Sequence, residues 1–149
     1  MAGDAALYLE DFPPGRRFAG GGRTITAAEI VAFARDFDPQ PFHTDPPAAE
    51  ASFFGGLAAS GWHTAALTMR LLVETVPIAR GLIGAGGELV WPRPTRPGDT
   101  LRILVTVESA TRSRSTPDRG WVVIRTETLN QHDEPVQILT ARMTVPCRP

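Results

Sequence analysis

Trp62-His63-Thr64-Ala65-Ala66-Leu67-Thr68-Met69-Arg70-Leu71-Leu72-Val73-Glu74-Thr75-Val76 is the stretch on which the fold turns. Trp62, Ala65, Ala66, Leu67, Met69, Leu71, Leu72, Val73 and Val76 spread round the helical wheel and leave hardly any polar face. A helix apolar nearly all round belongs inside a domain, covered on most sides. Its span of ~22 Å matches a strand of six or seven residues. Pro77 ends it. At its start Ser60 is placed to act as N-cap, with Gly61 as the first helical residue.

Downstream, everything reads as strand. Gly87 to Trp91 opens the series and Pro92-Arg93-Pro94 interrupts it. Pro97-Gly98-Asp99 is a turn. Leu101, Ile103, Val105 and Val107 alternate with Thr100, Arg102, Thr106 and Glu108, the pattern of a half-buried strand. Trp121 to Leu129 is another strand. The last places Leu139, Ala141, Met143 and Val145 inward. One long buried helix with about five antiparallel strands predicts an α+β layer, a sheet wrapped round that helix. A single helix shields only part of such a sheet, and an open edge has to be paired or covered. A homodimer is therefore expected.

Upstream, Tyr8, Leu9, Phe12 and Phe18 flank the turn Pro13-Pro14-Gly15, and Arg17 to Ile25 reads as a glycine-weakened strand. Thr26-Ala27-Ala28-Glu29 fits a capping box. Ile30, Phe33, Ala34 and Phe37 then follow at helical spacing. Pro39 stops that helix and opens Asp38-Pro39-Gln40-Pro41-Phe42-His43, a segment read as non-helical. Its prolines bias Asp38 and Gln40 toward extended geometry. A stiff turn carrying a carboxylate and an imidazole is a candidate acid/base pair. The same residues also serve structure elsewhere, Asp as a cap and His as a packed side chain. Asp45-Pro46-Pro47 restarts a short helix.

The 149-residue chain has a net charge of −1 and 42% hydrophobic residues, which predicts one soluble domain over 1–149. Its opening residues lack the layout of a signal peptide, and no apolar run reaches membrane-spanning length, so a cytoplasmic location is expected. No charge excess points to nucleic acid. All its basic residues are arginine, which excludes any lysine-based mechanism. Cys147, the single cysteine, reads as an incidental thiol. His43, Asp45 and His63 do not fall at zinc-ligand spacing, so no metal is expected. His63, inside the long helix, reads as packed.

Taken together, Asp38-Pro39-Gln40-Pro41-Phe42-His43-Thr44-Asp45, Phe54-Gly55-Gly56-Leu57, Ser60-Gly61-Trp62 and Arg96-Pro97-Gly98-Asp99-Thr100-Leu101 resemble the MaoC-like dehydratases. That group includes (R)-specific enoyl-CoA hydratases. The likeness begins at Tyr8-Leu9-Glu10-Asp11-Phe12 and extends over nearly the whole chain. It implies a hot-dog fold and the interconversion of an enoyl thioester with a 3-hydroxyacyl thioester, on CoA and without a further cofactor. It also implies Asp38 and His43 as the catalytic pair, and the Gly61 amide as oxyanion donor supported by Ser60. His43 is expected to draw the proton from water, and Asp38 to orient it and deliver the α-proton; the two roles are open to exchange.

Two positions depart from the group, which usually has asparagine at Gln40 and a branched aliphatic at Phe42. Both bear on which acyl group is taken. Arg93 and Arg96 offer forked donors for CoA phosphates or form a solvated rim. Two other functions compete. A hot-dog thioesterase would need a carboxylate from the long helix, which offers only Glu74. A non-catalytic acyl-thioester-binding subunit would keep the fold without turnover.

Overall fold

In the computed structural model, which describes residues 5–149, the strands that follow the long helix carry the architecture. They are β2 (Ile83–Val90), β3 (Thr100–Arg112), β4 (Arg119–Leu129) and β5 (Pro135–Pro146). With β1 (Arg17–Thr24) they form one antiparallel sheet in the order β1-β3-β4-β5-β2. The alternation in β3 is borne out: Leu101, Ile103, Val105 and Val107 are all buried against the helix side. Full burial of each such side chain contributes roughly 1.5–3 kcal/mol. Met143 and Val145 are buried as well, but Leu139 and Ala141, on the same face of β5, stay half-exposed. They lie beside β2, whose side chains are almost all exposed. β2 starts four residues earlier than its sequence suggests, because backbone pairing to β5 carries a glycine-rich segment of low intrinsic strand preference.

Four helices cover the other side of the chain's core: α1 (Ala27–Phe37), α2 (Pro41–Thr44), α3 (Pro46–Glu50) and α4 (Gly61–Thr75). The capping box at α1 is complete, with Thr26 Oγ1 accepting from the Glu29 amide and the Glu29 carboxylate from the Thr26 amide. α4 is the long helix, and it packs across β1, β3 and β5. The close approach to β1 needs Gly20, because a Cβ there would collide with Thr75.

Two expectations need correction. α4 is not covered on most sides. His63, Thr64, Leu67, Thr68, Leu71 and Leu72 face inward, while Trp62 is 60% exposed, Met69 41% and Val73 53%. Among the described residues there is one sheet and no second layer over that outer face. The segment after Pro39 is also not wholly extended. Gln40 is extended, as a residue before proline should be, but Pro41 then opens a one-turn helix that carries His43.

No described helix is long and apolar enough to cross a membrane. Residues 1–4, part of the opening stretch read for a leader, lie outside the described residues.

Candidate active site

Asp38 is the C-cap of α1, its amide bonded to the Ala34 carbonyl, so the chain leaves the helix with the carboxylate aimed across at α4. One oxygen, Oδ2, accepts from Ser60 Oγ at 2.7 Å and lies 3.3 Å from His43 Nε2. The other, Oδ1, accepts from Gln40 Nε2 at 2.6 Å. Burial raises the Asp38 pKa, but the hydrogen bonds from Gln40 and Ser60 and the His43 ring nearby outweigh it and hold the carboxyl below the ordinary aspartate value. Gln40, one of the two departures, therefore reaches the carboxylate itself.

His43 is buried, and Nδ1 lies 2.6 Å from the Ala58 carbonyl. A carbonyl only accepts, so Nδ1 carries a proton, and Nε2 is the ring nitrogen turned toward Asp38. Phe42 meets the His43 ring edge-on at 4.6 Å, and Phe54 packs on both. The ring is thus fixed by a backbone acceptor on one side and aromatic walls on the other.

Ser60 is fully buried and does two jobs with one hydroxyl. It caps α4 by accepting from the Trp62 amide at 3.2 Å, and it donates to Asp38. The Gly61 amide makes no hydrogen bond among the described residues. Such an unpaired donor at a helix start carries the positive end of the helix dipole. The glycine itself is dictated by a neighbour: a Cβ at Gly61 would sit 2.6 Å from Trp91 Cε2. The Trp91 indole lies on this turn, its Nε1 donating to Gln137 at 3.0 Å.

These groups border a cavity of about 310 Å³ whose wall includes His43, Phe54, Gly61, Thr64, Trp91 and Thr95. Of the four residues singled out from sequence, His43 and Gly61 line it; Asp38 and Ser60 do not, but stand directly behind them, Asp38 against His43 and Ser60 as the cap that precedes Gly61. Thr64, Trp91 and Thr95 were not singled out. Thr64 lies one turn after Ser60 on the same face of α4, a spacing that could have flagged it; Trp91 and Thr95 arrive from a proline-rich loop with no local signal.

Arg96 is neither a phosphate ligand nor a rim residue. Its guanidinium donates to the carbonyls of Phe54, Gly56 and Leu57, which holds the loop behind His43 in place. Arg93 does sit at the cavity, paired with Glu134 at 3.1 Å. Glu74 is exposed, bonded to Arg70, and borders a different depression beside β1. His63 stacks on Phe33 at 4.4 Å, away from the cavity wall, and burial lowers its pKa.

The chain thus presents a sheet wrapped on one helix, with an acid/imidazole pair set against the start of that helix. Residues 11–128 match the MaoC like domain, and the chain belongs to that family. The MaoC-like dehydratase from Rhodospirillum rubrum is 56% identical with a TM-score of 0.94, over 97% of this chain and 99% of that one. The (R)-hydratase from A. caviae involved in PHA biosynthesis is 25% identical with a TM-score of 0.73, over 90% and 97%. In sequence, the uncharacterized protein YdeM of Bacillus subtilis is 30% identical over 142 residues, which is 93% of this chain and 97% of YdeM. The five-stranded sheet with its single long helix is the hot-dog fold of these relatives.

Proposed function

We propose that this protein interconverts an enoyl-CoA and a 3-hydroxyacyl-CoA by reversible addition of water. One observation carries the reading: His43, whose Nε2 lies 3.3 Å from Asp38 Oδ2, lines a cavity bordered also by Gly61, whose amide is free among the described residues. The (R) configuration at the new hydroxyl follows the A. caviae relative.

In this reading a water held at His43 Nε2 attacks the β-carbon. Its proton passes to Nε2, the C=C electrons move onto the thioester oxygen, and the Gly61 amide receives that developing charge. The enolate then collapses and takes the same proton at the α-carbon, so atoms and charge balance over the cycle. Asp38 stays a carboxylate throughout. Its lowered pKa leaves it no proton to give at rest, and its place behind His43 suits it to orient and stabilise the imidazolium. Both proton steps therefore fall to His43. Losing the amide donor would cost roughly 3 kcal/mol of transition-state stabilisation.

The reading also includes a second copy of the chain. Trp62, Ala66, Met69 and Val73 form an exposed apolar stripe on α4, and β2 offers an unpaired edge.

Following the loss of enoyl-thioester absorbance tests the reaction directly. Asp38→Asn and His43→Ala are each expected to lower turnover by about 10²–10⁴ while the circular dichroism spectrum is unchanged. Absence of any absorbance loss across short, branched and dicarboxylic enoyl-CoA esters would overturn the proposal. Thiol release without hydration would select thioesterase chemistry instead.

A further inference from the structure

Away from His43, the Gly61 amide and the Glu134-paired Arg93, the polar side chains of the cavity wall are two threonines. Thr64 and Thr95 are each 2% exposed, both border the cavity, and their hydroxyl oxygens are 2.9 Å apart. Two hydroxyls carry two protons, and the bond between them uses one. Neither side chain makes a second hydrogen bond among the described residues. One proton and several lone pairs are thus left over, on buried side chains that border the same space as His43. The Thr68–Thr128 pair has the same spare proton but does not line this cavity; at Thr64–Thr95 the spare donor borders space a ligand can occupy, where the low dielectric that strengthens its bonds also penalises leaving it unused.

From this pair we infer that the protein takes a short acyl group ending in a neutral oxygen, a hydroxyl or carbonyl, which the Thr64–Thr95 pair recognises. The inference rests on the enoyl-thioester reading above and specifies its substrate. Three features narrow the class. The cavity volume of about 310 Å³ is at the low end for ligand sites, which favours a short chain. Phe54 and Trp91 supply apolar walls for the carbons between the thioester and the terminal oxygen. Charge is matched poorly: Arg93 is engaged by Glu134, and Arg96 is committed to three backbone carbonyls. A terminal carboxylate would meet a single spare hydroxyl proton and no uncommitted arginine at the cavity. A neutral oxygen can both accept that proton and, as a hydroxyl, donate to a threonine lone pair.

The test compares five-carbon 2-enoyl-CoA esters that differ only at the last carbon: methyl, hydroxyl or carboxylate. Hydration is followed by absorbance. In parallel, the dissociation constants of the corresponding saturated, unreactive esters are measured by calorimetry, which needs no turnover. The hydroxyl ester is expected to exceed the methyl ester at least tenfold in kcat/KM and in affinity, with the carboxylate last, because a site built to bond an oxygen rejects the analogue that lacks it. Thr64→Val and Thr95→Val should each collapse the hydroxyl-to-methyl ratio toward one, while Thr64→Ser, which keeps the hydroxyl, should retain it. Thermal unfolding checks that the variants are folded. A ratio near one in the unaltered protein, a carboxylate preference, or a ratio that survives both valine variants overturns the inference even if hydration is rapid. A calorimetric preference that vanishes in the variants, with no turnover of any ester, sustains it and overturns the hydratase reading. No binding of any ester overturns both.

Discussion

The two faces of α4 reverse the usual arrangement of a surface helix. Inward it turns His63, Thr64 and Thr68 among its leucines; outward it turns Trp62, Met69 and Val73. Two of the inner polar groups are paired by hydrogen bonds, Thr64 with Thr95 and Thr68 with Thr128 on β4 at 2.6 Å, while His63 stacks on Phe33 and its Nδ1 has no hydrogen-bond partner among the described residues. Of the outer apolar groups, Trp62 meets the Trp91 ring edge-on at 5.3 Å, while Met69 and Val73 are left exposed. Hydrophobic pattern alone thus does not say which side of this helix meets its own sheet. The inner face carries its polar groups where it borders a cavity and a pairing seam, and the outer face leaves Met69 and Val73 exposed.

Charging the outer face is the strongest way to break that contrast. Met69→Glu with Val73→Glu is expected to convert an oligomer to a monomer, read by light scattering at micromolar concentration. Both positions are exposed, so the fold of each chain should persist. An unaltered protein that is already monomeric would remove the reason for the outer stripe.

Next in size is the start of the helix. Gly61→Ala drives a methyl into the Trp91 indole and is expected to destabilise the protein by about 1–3 kcal/mol in urea unfolding. Pairing it with Trp91→Leu should recover part of the loss; equal stability of Gly61→Ala and the unaltered protein would refute the contact.

The inner face gives a subtler signature. Thr68→Val leaves the Thr128 hydroxyl buried without its partner, at a cost of about 1–3 kcal/mol, whereas Thr68→Val with Thr128→Val is expected to be nearly neutral. Additive losses in the two valine variants would mean the pair is not a bonded unit.

The smallest expected effect lies in pH. Asp38 has its pKa lowered in the folded state, so its contribution to stability is present above the ordinary aspartate value and is lost as pH falls through the folded one. Activity that needs the carboxylate should likewise persist below that ordinary value. Gln40→Leu removes one of the two hydrogen bonds and should move the acid limb of kcat/KM upward; an unmoved limb would show that Gln40 does not tune the carboxylate.

Much of this was legible in the chain, and the reason is locality. The capping box at Thr26, the stop at Pro39, the alternation of β3 and the start of α4 at Ser60 each depend on residues within a turn of one another. So does the Asp38–His43 pair, whose members are five positions apart. The rest depends on sequence-distant partners. Trp91 over Gly61, Thr95 beside Thr64 and Arg96 gripping the Phe54–Leu57 carbonyls all join residues some 30 or more positions apart. The helical turn at Pro41 was missed for another reason. Proline restrains the residue before it, yet it is well suited to begin a helix itself, and only the second effect applies to His43.

The shared hydroxyl of Ser60 has a consequence of its own. Because one oxygen both secures the first turn of α4 and grips Asp38, fraying of that turn loosens the carboxylate at the same moment. Chemistry and helix order are bound to a common fluctuation, so warming should blunt the reaction at temperatures where the sheet is still intact.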